Sequence, residues 1–412
     1  MSMSWRDLFF VFARIGILSF GGPAAQIALM QRVLVEEKQW VAAKDYLAAL
    51  SFCMLLPGPE AMQLATYCGW KLRGVAGGIL AGLLFVLPGA LVVLGLAALY
   101  VTLGQAPLVQ AAFFGVQAAV VVIVVEALWK VSKRALGTAE SYWIAALSFL
   151  AIYALGLPFP AIILLAGLWG AWRVSELNVQ TIALPKPSGT VRTIVIWGGL
   201  WWGPLLALWV GGQDFLWEIA LFFSQLAVVT FGGAYAVLAW MSQWAVDTKG
   251  WLDANQMLDA LGLAETTPGP LILVTEFVAF VAGWGTGGWS MALAAALVSL
   301  WATFLPCFLW IFVAAPYLEW ITAQPRLKGA LNAIIAAVVG VILNLSLWFG
   351  LHVLFEEVQQ TPFGAVPDLG TFNASAALLI VIAAIWSFKL HRGMLETLCL
   401  SALIALGMVM VF

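Results

Sequence analysis

The feature that most constrains the fold is a pair of glycine–proline motifs inside apolar runs: F-G-G-P at residues 20–23 and P-G-P-E at residues 57–60. Adjacent glycines, and a glycine between prolines, interrupt helices. A backbone that breaks inside hydrocarbon must hide its polar groups in protein or in a watery cavity. Such breaks also direct helix N-termini, with their partial positive charge, into the membrane. The motifs therefore predict broken membrane helices that can hold an anion.

The composition agrees with a membrane location. Of the 412 residues, 64% are hydrophobic and 9% are charged, whereas soluble domains carry about 25% charged residues. The net charge of −2 argues against nucleic-acid binding. No H-E-x-x-H, G-x-S-x-G or P-loop motif occurs in the chain. We therefore expect no enzyme activity, no ATP binding, no metal and no cofactor.

Both motifs recur 211 residues later, as F-G-G at residues 231–233 and P-G-P at residues 268–270. The ungapped alignment between them also pairs Lys38 with Lys249. Shared hydrophobicity does not explain a matched lysine. We infer that the chain arose by tandem duplication.

The charges of the loops indicate how the two halves are oriented, because cytoplasmic loops are rich in Lys and Arg. Each basic loop of one half corresponds to an uncharged or acidic loop of the other. The basic loops lie at residues 71–73 and 130–134 in the first half and at residues 326–328 and 389–392 in the second. The sequence therefore predicts an all-α polytopic membrane protein made of two inverted-topology repeats.

We predict a first transmembrane repeat at residues 1–172, a cytoplasmic linker plus a connecting span at residues 173–218, and a second repeat at residues 219–412. The apolar segments beside the breaks hold about 20 Å of helix, less than the about 30 Å of hydrocarbon. If the broken pairs re-enter, every Lys and Arg except Arg14 and Lys249 lies on the cytoplasmic side. We favour re-entrant pairs and a cytoplasmic N-terminus, although the sequence leaves open whether these segments cross.

The predicted anion site consists of the breaks and the polar residues beside them. Ser19 and Thr230 are repeat equivalents, and each hydroxyl either donates to a ligand or bonds back to its own helix. Arg14 is either a fixed countercharge for an oxyanion or a residue that snorkels to the headgroups. The predicted binding residues are Arg14, Ser19, Phe20, Gly21, Gly22, Pro57, Gly58, Pro59, Gln63, Thr230, Gly232, Gly233, Thr267 and Gly269.

Two carboxylates beside the breaks are candidates for carrying a proton. Glu60 follows the first P-G-P directly and ranks first, and Glu265 precedes the second P-G-P and ranks second. A buried carboxylate near an anion path can bind a proton. The alternative for Glu60 is a first-turn carboxylate that favours its helix dipole. Glu276 is a further candidate.

The runs S-F-G-G-P-A-A-Q-I-A-L-M and M-L-L-P-G-P-E-A-M-Q-L-A-T-Y-C-G-W resemble the chromate ion transporter family in its long-chain, two-domain form. The resemblance covers the whole chain. It implies export of chromate, with sulfate as a similar oxyanion, from a bacterial cytoplasm across the inner membrane. The second half has Leu271 where the first has Glu60, so the halves are not equivalent there.

Several functions stay open at this point. The first is a secondary transporter for a tetrahedral dianion, driven by the membrane potential with or without proton exchange. The alternatives are an anion channel, a sulfate-type oxyanion transporter with no chromate role, and a membrane scaffold. Backbone donors and one arginine distinguish charge and size, not the element. The lipid bilayer is an expected partner, and the sequence is compatible with a homo-oligomer.

Overall fold

The computed structural model describes residues 4–174, 189–361 and 364–411. These residues are largely helical, with one antiparallel hairpin of β1 (Val358–Thr361) and β2 (Gly364–Pro367). Residues 175–188 of the predicted linker lie outside the described ranges. The helices are α1 (Trp5–Ile17), α2 (Gly22–Gln31), α3 (Ala43–Cys53), α4 (Glu60–Leu103), α5 (Pro107–Ala135), α6 (Ala139–Tyr153), α7 (Phe159–Arg173), α8 (Thr190–Val210), α9 (Asp214–Val229), α10 (Ala234–Gln243), α11 (Ala254–Thr266), α12 (Val274–Ala314), α13 (Leu318–Ala323), α14 (Pro325–Leu354), α15 (Ala374–Ala384) and α16 (Met394–Val411).

Five helical stretches of the described chain are long and apolar enough to cross a membrane. They are Glu60–Leu103, Pro107–Ala135, Thr190–Val210, Leu271–Ala323 and Pro325–Leu354. Shorter apolar helices accompany them, including α6, α7 and α16. The predicted class, an all-α polytopic membrane protein, is therefore confirmed.

The packing of the helices divides the chain into two units, and each unit takes segments from both halves of the sequence. Unit 1 consists of Met1–Gly95, Ala171–Ala234 and Thr267–Leu331, and unit 2 of Leu96–Gly170, Tyr235–Thr266 and Asn332–Phe412. The predicted repeats are successive stretches of the sequence, whereas each packing unit combines segments from both predicted repeats.

Two of the longest helices, α4 and α12, each reverse direction internally. In α4, Gly74 has a φ of +64°, and a side chain on Gly69 would collide with the carbonyl oxygen of Gly77. In α12, Gly288 also has a φ of +64° and interrupts the helix in the same way. Glycine adopts this left-handed conformation without the strain of a Cβ atom. Each of these helices is therefore a helical hairpin with a glycine at its turn.

The starts of α1 and α3 lie at the same end of unit 1. The Arg73 guanidinium lies over the Trp5 ring, 4.9 Å from its centroid. The Lys71 ammonium donates to Asp45 in the first turn of α3, at 2.6 Å, and this contact lowers the pKa of Asp45 from its ordinary value. Lys71 and Arg73 both adjoin the reversal in α4. The chain therefore leaves this end through α1 and returns to it before α3 begins.

Candidate functional site

Four helix breaks meet in unit 1 and hold one another through backbone hydrogen bonds. The N–H of Gly58 donates to the carbonyl oxygen of Thr230 at 2.8 Å, and the N–H of Gly269 donates to that of Ser19 at 2.8 Å. Gly58 is the repeat equivalent of Gly269, and Thr230 is the equivalent of Ser19. Each P-G-P motif is therefore fixed to the F-G-G motif of the other repeat.

A narrow cleft lies where the breaks meet. Its volume is about 20 Å³, which is room for about one water molecule. The cleft is therefore almost closed in this arrangement. Its wall consists of Pro23, Gln26, Gly58, Pro59, Glu60, Ala61, Thr230, Gly233, Ala234, Pro270, Leu271 and Ile272.

Helices start at this cleft after each of the four breaks. Their first residues are Gly22 in α2, Glu60 in α4 and Ala234 in α10, while the 3-10 turn Leu271–Leu273 leads into α12. The first N–H groups of a helix lack partners within the helix, and the helix dipole places partial positive charge there. These two effects together favour a bound anion. The residues that line the cleft include no Lys or Arg, so positive potential at its wall comes from the backbone of the helix starts.

Gln26 is a cleft residue that the sequence analysis missed. Its side chain is buried, and its Nε2 donates to the carbonyl oxygen of Gly269 at 2.6 Å and to that of Ser19 at 3.4 Å. Its Oε1 is buried without a hydrogen-bond partner. The available signal was a lone amide side chain in an apolar run, three residues after F-G-G-P. Gln26 joins the first F-G-G break to the second P-G-P break.

The two predicted hydroxyls bond back to their own helices. Ser19 Oγ donates to the carbonyl oxygen of Ile15 at 2.6 Å, and Thr230 Oγ1 donates to that of Leu226 at 2.6 Å. Both residues are buried, and each hydroxyl proton is already used. In this arrangement, their contribution to the site is the carbonyl oxygen that each offers to a glycine N–H.

The other predicted binding residues fall into two groups. Besides Thr230, those in the cleft wall are Gly58, Pro59 and Gly233. Those in or beside the breaks but outside the wall are Phe20, Gly21, Gly22, Pro57, Gln63, Gly232, Thr267 and Gly269. Gln63 is buried, and its Nε2 donates to the carbonyl oxygen of Pro57 at 2.6 Å. This hydrogen bond stabilises the first P-G-P break.

Arg14 lies outside the cleft wall. Its Nη1 lies 3.1 Å from Glu37 Oε2, and half of its side chain is exposed. Glu37 also pairs with Arg32, whose Nε lies 3.6 Å from Glu37 Oε1. The structure thus gives Arg14 an acidic partner on the chain itself.

The three candidate carboxylates have different surroundings. Glu60 lines the cleft in the first turn of α4. Glu265 is buried in unit 2, where its Oε1 accepts the hydroxyl of Tyr235 at 2.6 Å. Glu276 is buried in α12 and its Oε2 has no hydrogen-bond partner. Of the three, only Glu60 belongs to the cleft wall.

Comparison with known proteins relates the sequence of this chain to a transport family. The chain matches the family model described as Chromate transporter over residues 6–171 and 217–411. It is 34% identical over 348 residues to a chromate transport protein of Cupriavidus metallidurans, covering 82% of this chain and 80% of that one. It is 31% identical over 410 residues to a probable chromate transport protein of Synechococcus elongatus, covering 96% and 93%.

A chromate transport protein of Pseudomonas aeruginosa is 33% identical over 399 residues, covering 94% of this chain and 89% of that one. No solved structure matches the chain. These relatives are named as transport proteins, in agreement with the prediction of a transporter rather than an enzyme.

Proposed function

Because this chain belongs to the chromate transporter family, we propose that it is a secondary transporter that exports chromate from the cytoplasm across a bacterial inner membrane. The observation that carries the proposal is the convergence of four helix starts on one cleft of unit 1. Chromate is a tetrahedral dianion whose oxygens accept hydrogen bonds. Unpaired helix N–H groups supply donors and partial positive charge to such an ion.

The size of the cleft favours a gated transporter over an open channel. Its volume of about 20 Å³ holds about one water molecule, and an oxyanion of five heavy atoms is larger. The cleft must widen to load its substrate. A transporter widens its site towards one side of the membrane at a time, whereas a channel needs a continuous opening.

The contacts in unit 1 support the re-entrant arrangement and the predicted orientation. The starts of α1 and α3 both lie beside the basic reversal in α4. Basic turns stay on the cytoplasmic side of a membrane. On this basis the N-terminus is cytoplasmic and both broken pairs of the first repeat return to the side from which they came.

The membrane potential is sufficient to drive export. Moving one charge through the potential is worth about 2.3 kcal/mol per 100 mV, so a dianion leaving a negative cytoplasm gains about 4.6 kcal/mol. Since about 1.4 kcal/mol corresponds to a factor of ten, this supports a gradient of roughly a thousandfold. Uniport therefore suffices for useful export.

Proton exchange would add to this drive if a carboxylate takes a proton inward while the anion moves outward. Glu60 and Glu265 are the candidates, and their positions predict different behaviour. A proton on Glu60, in the cleft wall, relieves the repulsion between this carboxylate and a bound dianion. The proton and the dianion would then bind together and move in the same direction, which is symport and not exchange. Glu265 lies outside that wall and is held by Tyr235. We assign proton exchange to Glu265 and direct anion repulsion to Glu60.

The test is chromate uptake by everted membrane vesicles, in which export appears as accumulation. We expect saturable, potential-driven uptake of chromate that excess sulfate inhibits. Saturable sulfate uptake without chromate uptake would replace the substrate by a sulfate-type oxyanion. A flux that rises without saturation would identify an anion channel instead.

A further inference from the structure

A groove lies between α5, α6 and α14 in unit 2, and none of its lining residues belongs to the cleft wall. Its volume is about 1200 Å³. Gly340 of α14 packs so closely on the carbonyl oxygen of Ala145 in α6 that a side chain there would collide with it. Because the two helices approach closely here, the larger side chains on either side of the contact form the walls of the groove.

The walls of the groove are apolar over most of its length. They include Trp129, Leu150 and Leu343, which are 59%, 51% and 42% exposed although they are large apolar side chains. Phe149 and Phe388 also belong to the apolar lining. In a multi-pass membrane protein, such exposed apolar faces meet lipid chains rather than water.

One end of the groove is polar and basic. Ser132, Lys133 and Tyr142 lie there, at the end of α5 and the beginning of α6. The Lys133 ammonium lies 4.6 Å from the centroid of the Trp129 ring, and Lys133 has no ion-pair partner among the described residues. The sequence predicts this basic turn to be cytoplasmic, so the groove runs from a positive headgroup level into hydrocarbon.

We propose that this groove binds an anionic phospholipid, with its acyl chains along the apolar walls and its phosphate at Lys133. Basic pockets between membrane helices on the cytoplasmic side bind anionic headgroups. An acyl chain gains little by leaving the bilayer, because lipid tails are as apolar as the groove. Selective retention of a lipid must therefore come from the headgroup contact, and Lys133 supplies the charge for it.

A second copy of the chain fits this surface less well. A two-fold symmetric contact places the same surface patch of both copies together. It would bring Lys133 of one copy near Lys133 of the other, and this lysine has no ion-pair partner among the described residues to offset its charge. Like charges facing each other across an interface oppose association, whereas an anionic headgroup neutralises the turn.

The experiment measures lipid retention by the purified full-length protein. Native mass spectrometry counts bound lipids, and thermal unfolding in detergent is followed while phosphatidylglycerol or phosphatidylcholine is added. Ala146→Trp fills the groove from α6, and Lys133→Gln removes the charge. Leu147→Trp on the same helix and Lys328→Gln on another predicted cytoplasmic turn are the matched controls, because neither residue lines the groove.

We expect phosphatidylglycerol to stabilise the wild type more than phosphatidylcholine does. Lys133→Gln should weaken phosphatidylglycerol binding about fivefold, as expected for one lysine at an anionic lipid surface. Ala146→Trp should lower the count of retained lipids, and both controls should behave as wild type. Equal stabilisation of the wild type by the two lipids, or an unchanged lipid count in Ala146→Trp, overturns the proposal. A wild-type dimer that Ala146→Trp dissociates without lipid loss would make the groove a protein interface.

Discussion

The N–H of Gly58 donates to the carbonyl oxygen of Thr230 at 2.8 Å, and the equivalent Gly269 donates to the equivalent Ser19 at the same distance. Each bond joins a break of one repeat to a break of the other. Each half of the sequence therefore satisfies part of its broken backbone through the other half. Because the N–H groups of Gly58 and Gly269 are engaged in this way, the proposed anion site must use the N–H groups at the starts of the helices.

Gly58→Ala should disrupt this junction. Gly58 has a φ of +120°, and an added Cβ would lie 3.0 Å from Cys307 Sγ and 2.8 Å from Gln63 Nε2. A strained backbone position of this kind costs about 1–3 kcal/mol. We expect a lower unfolding temperature in detergent and a loss of chromate uptake. Gly95→Ala is the control, because its Cβ meets nothing within 4 Å, and equal effects of both variants would contradict the assignment.

Gln26→Leu should loosen the link between α2 and the second P-G-P break. The variant removes the side-chain donor of the Gly269 carbonyl oxygen but also removes the unpaired Oε1, so we expect a net cost of about 0.5–1.5 kcal/mol, the usual net value of one hydrogen bond. Thermal unfolding should show this loss, and chromate uptake should fall. Gln31→Leu, at the other end of α2 and outside the cleft wall, should change neither. If Gln26→Leu is as stable and active as wild type, Gln26 does not hold the junction.

Much of the local structure could be predicted from the sequence, because it depends on residues close together in the chain. The motif F-G-G-P ends α1 and starts α2, and P-G-P starts α4. π-helical turns occur at Arg32–Glu37 and Trp244–Thr248, which overlap when the sequence is shifted by 211 residues. The reversal at Gly74 directly follows residues 71–73, where the charges of the sequence already predict a basic loop.

The partners of the site residues could not be predicted, because they come from distant parts of the chain. Nothing near Gln26 in sequence indicates that it reaches Gly269. The back-bonding of Ser19 and Thr230 was one of two alternatives, and tertiary packing decides between them. The ion pair of Arg14 with Glu37 depends on how the chain returns after the first break.

Arg14 and Glu37 together test whether the arginine binds the anion. If Arg14 is a countercharge for chromate, Arg14→Gln should weaken chromate binding while Glu37→Gln should leave it unchanged or improve it, because the guanidinium is then released from its partner. The measurement is chromate binding by the purified protein in detergent. If both variants lower thermal stability equally and leave binding unchanged, Arg14 serves only its ion pair.

Labelling of single cysteines tests the re-entrant arrangement. The background variant replaces only Cys399, because it is exposed and would react with the reagent. Cys53, Cys68 and Cys307 are buried and stay in place. An impermeant reagent added outside intact cells should label Asp253→Cys and should miss Lys38→Cys.

A second outside position on α11 must be exposed, which excludes Asp259. It is buried, and its carboxylate accepts hydrogen bonds from Tyr100 at 2.8 Å and Gln117 at 2.9 Å. Asn255 is exposed and takes its place, with Lys44 as the second inside position. Outside labelling of Lys44→Cys would mean that the first broken pair crosses the membrane.

The direction of proton coupling can be read from the sign of a pH gradient at zero membrane potential. In everted vesicles, an acid lumen drives chromate accumulation only if protons leave the lumen as chromate enters. An alkaline lumen drives it only if the two move together. Since Glu60 lines the cleft and Glu265 does not, we expect an acid lumen to drive accumulation in the wild type and in Glu60→Gln.

Glu265→Gln should abolish this accumulation and keep potential-driven uptake. With one proton exchanged, three charges move per chromate, and without the proton only two move. The free energy that the membrane potential supplies therefore drops from about 6.9 to about 4.6 kcal/mol per 100 mV. Tyr235→Phe is the matched control, because it removes the hydroxyl that donates to Glu265 and leaves the carboxyl in place. It should shift the pH at which coupling is half-maximal without abolishing coupling. If pH-driven accumulation is lost in Glu60→Gln but not in Glu265→Gln, the proton-carrying residue is Glu60 in the cleft. If the wild type responds to neither gradient, the mechanism is uniport.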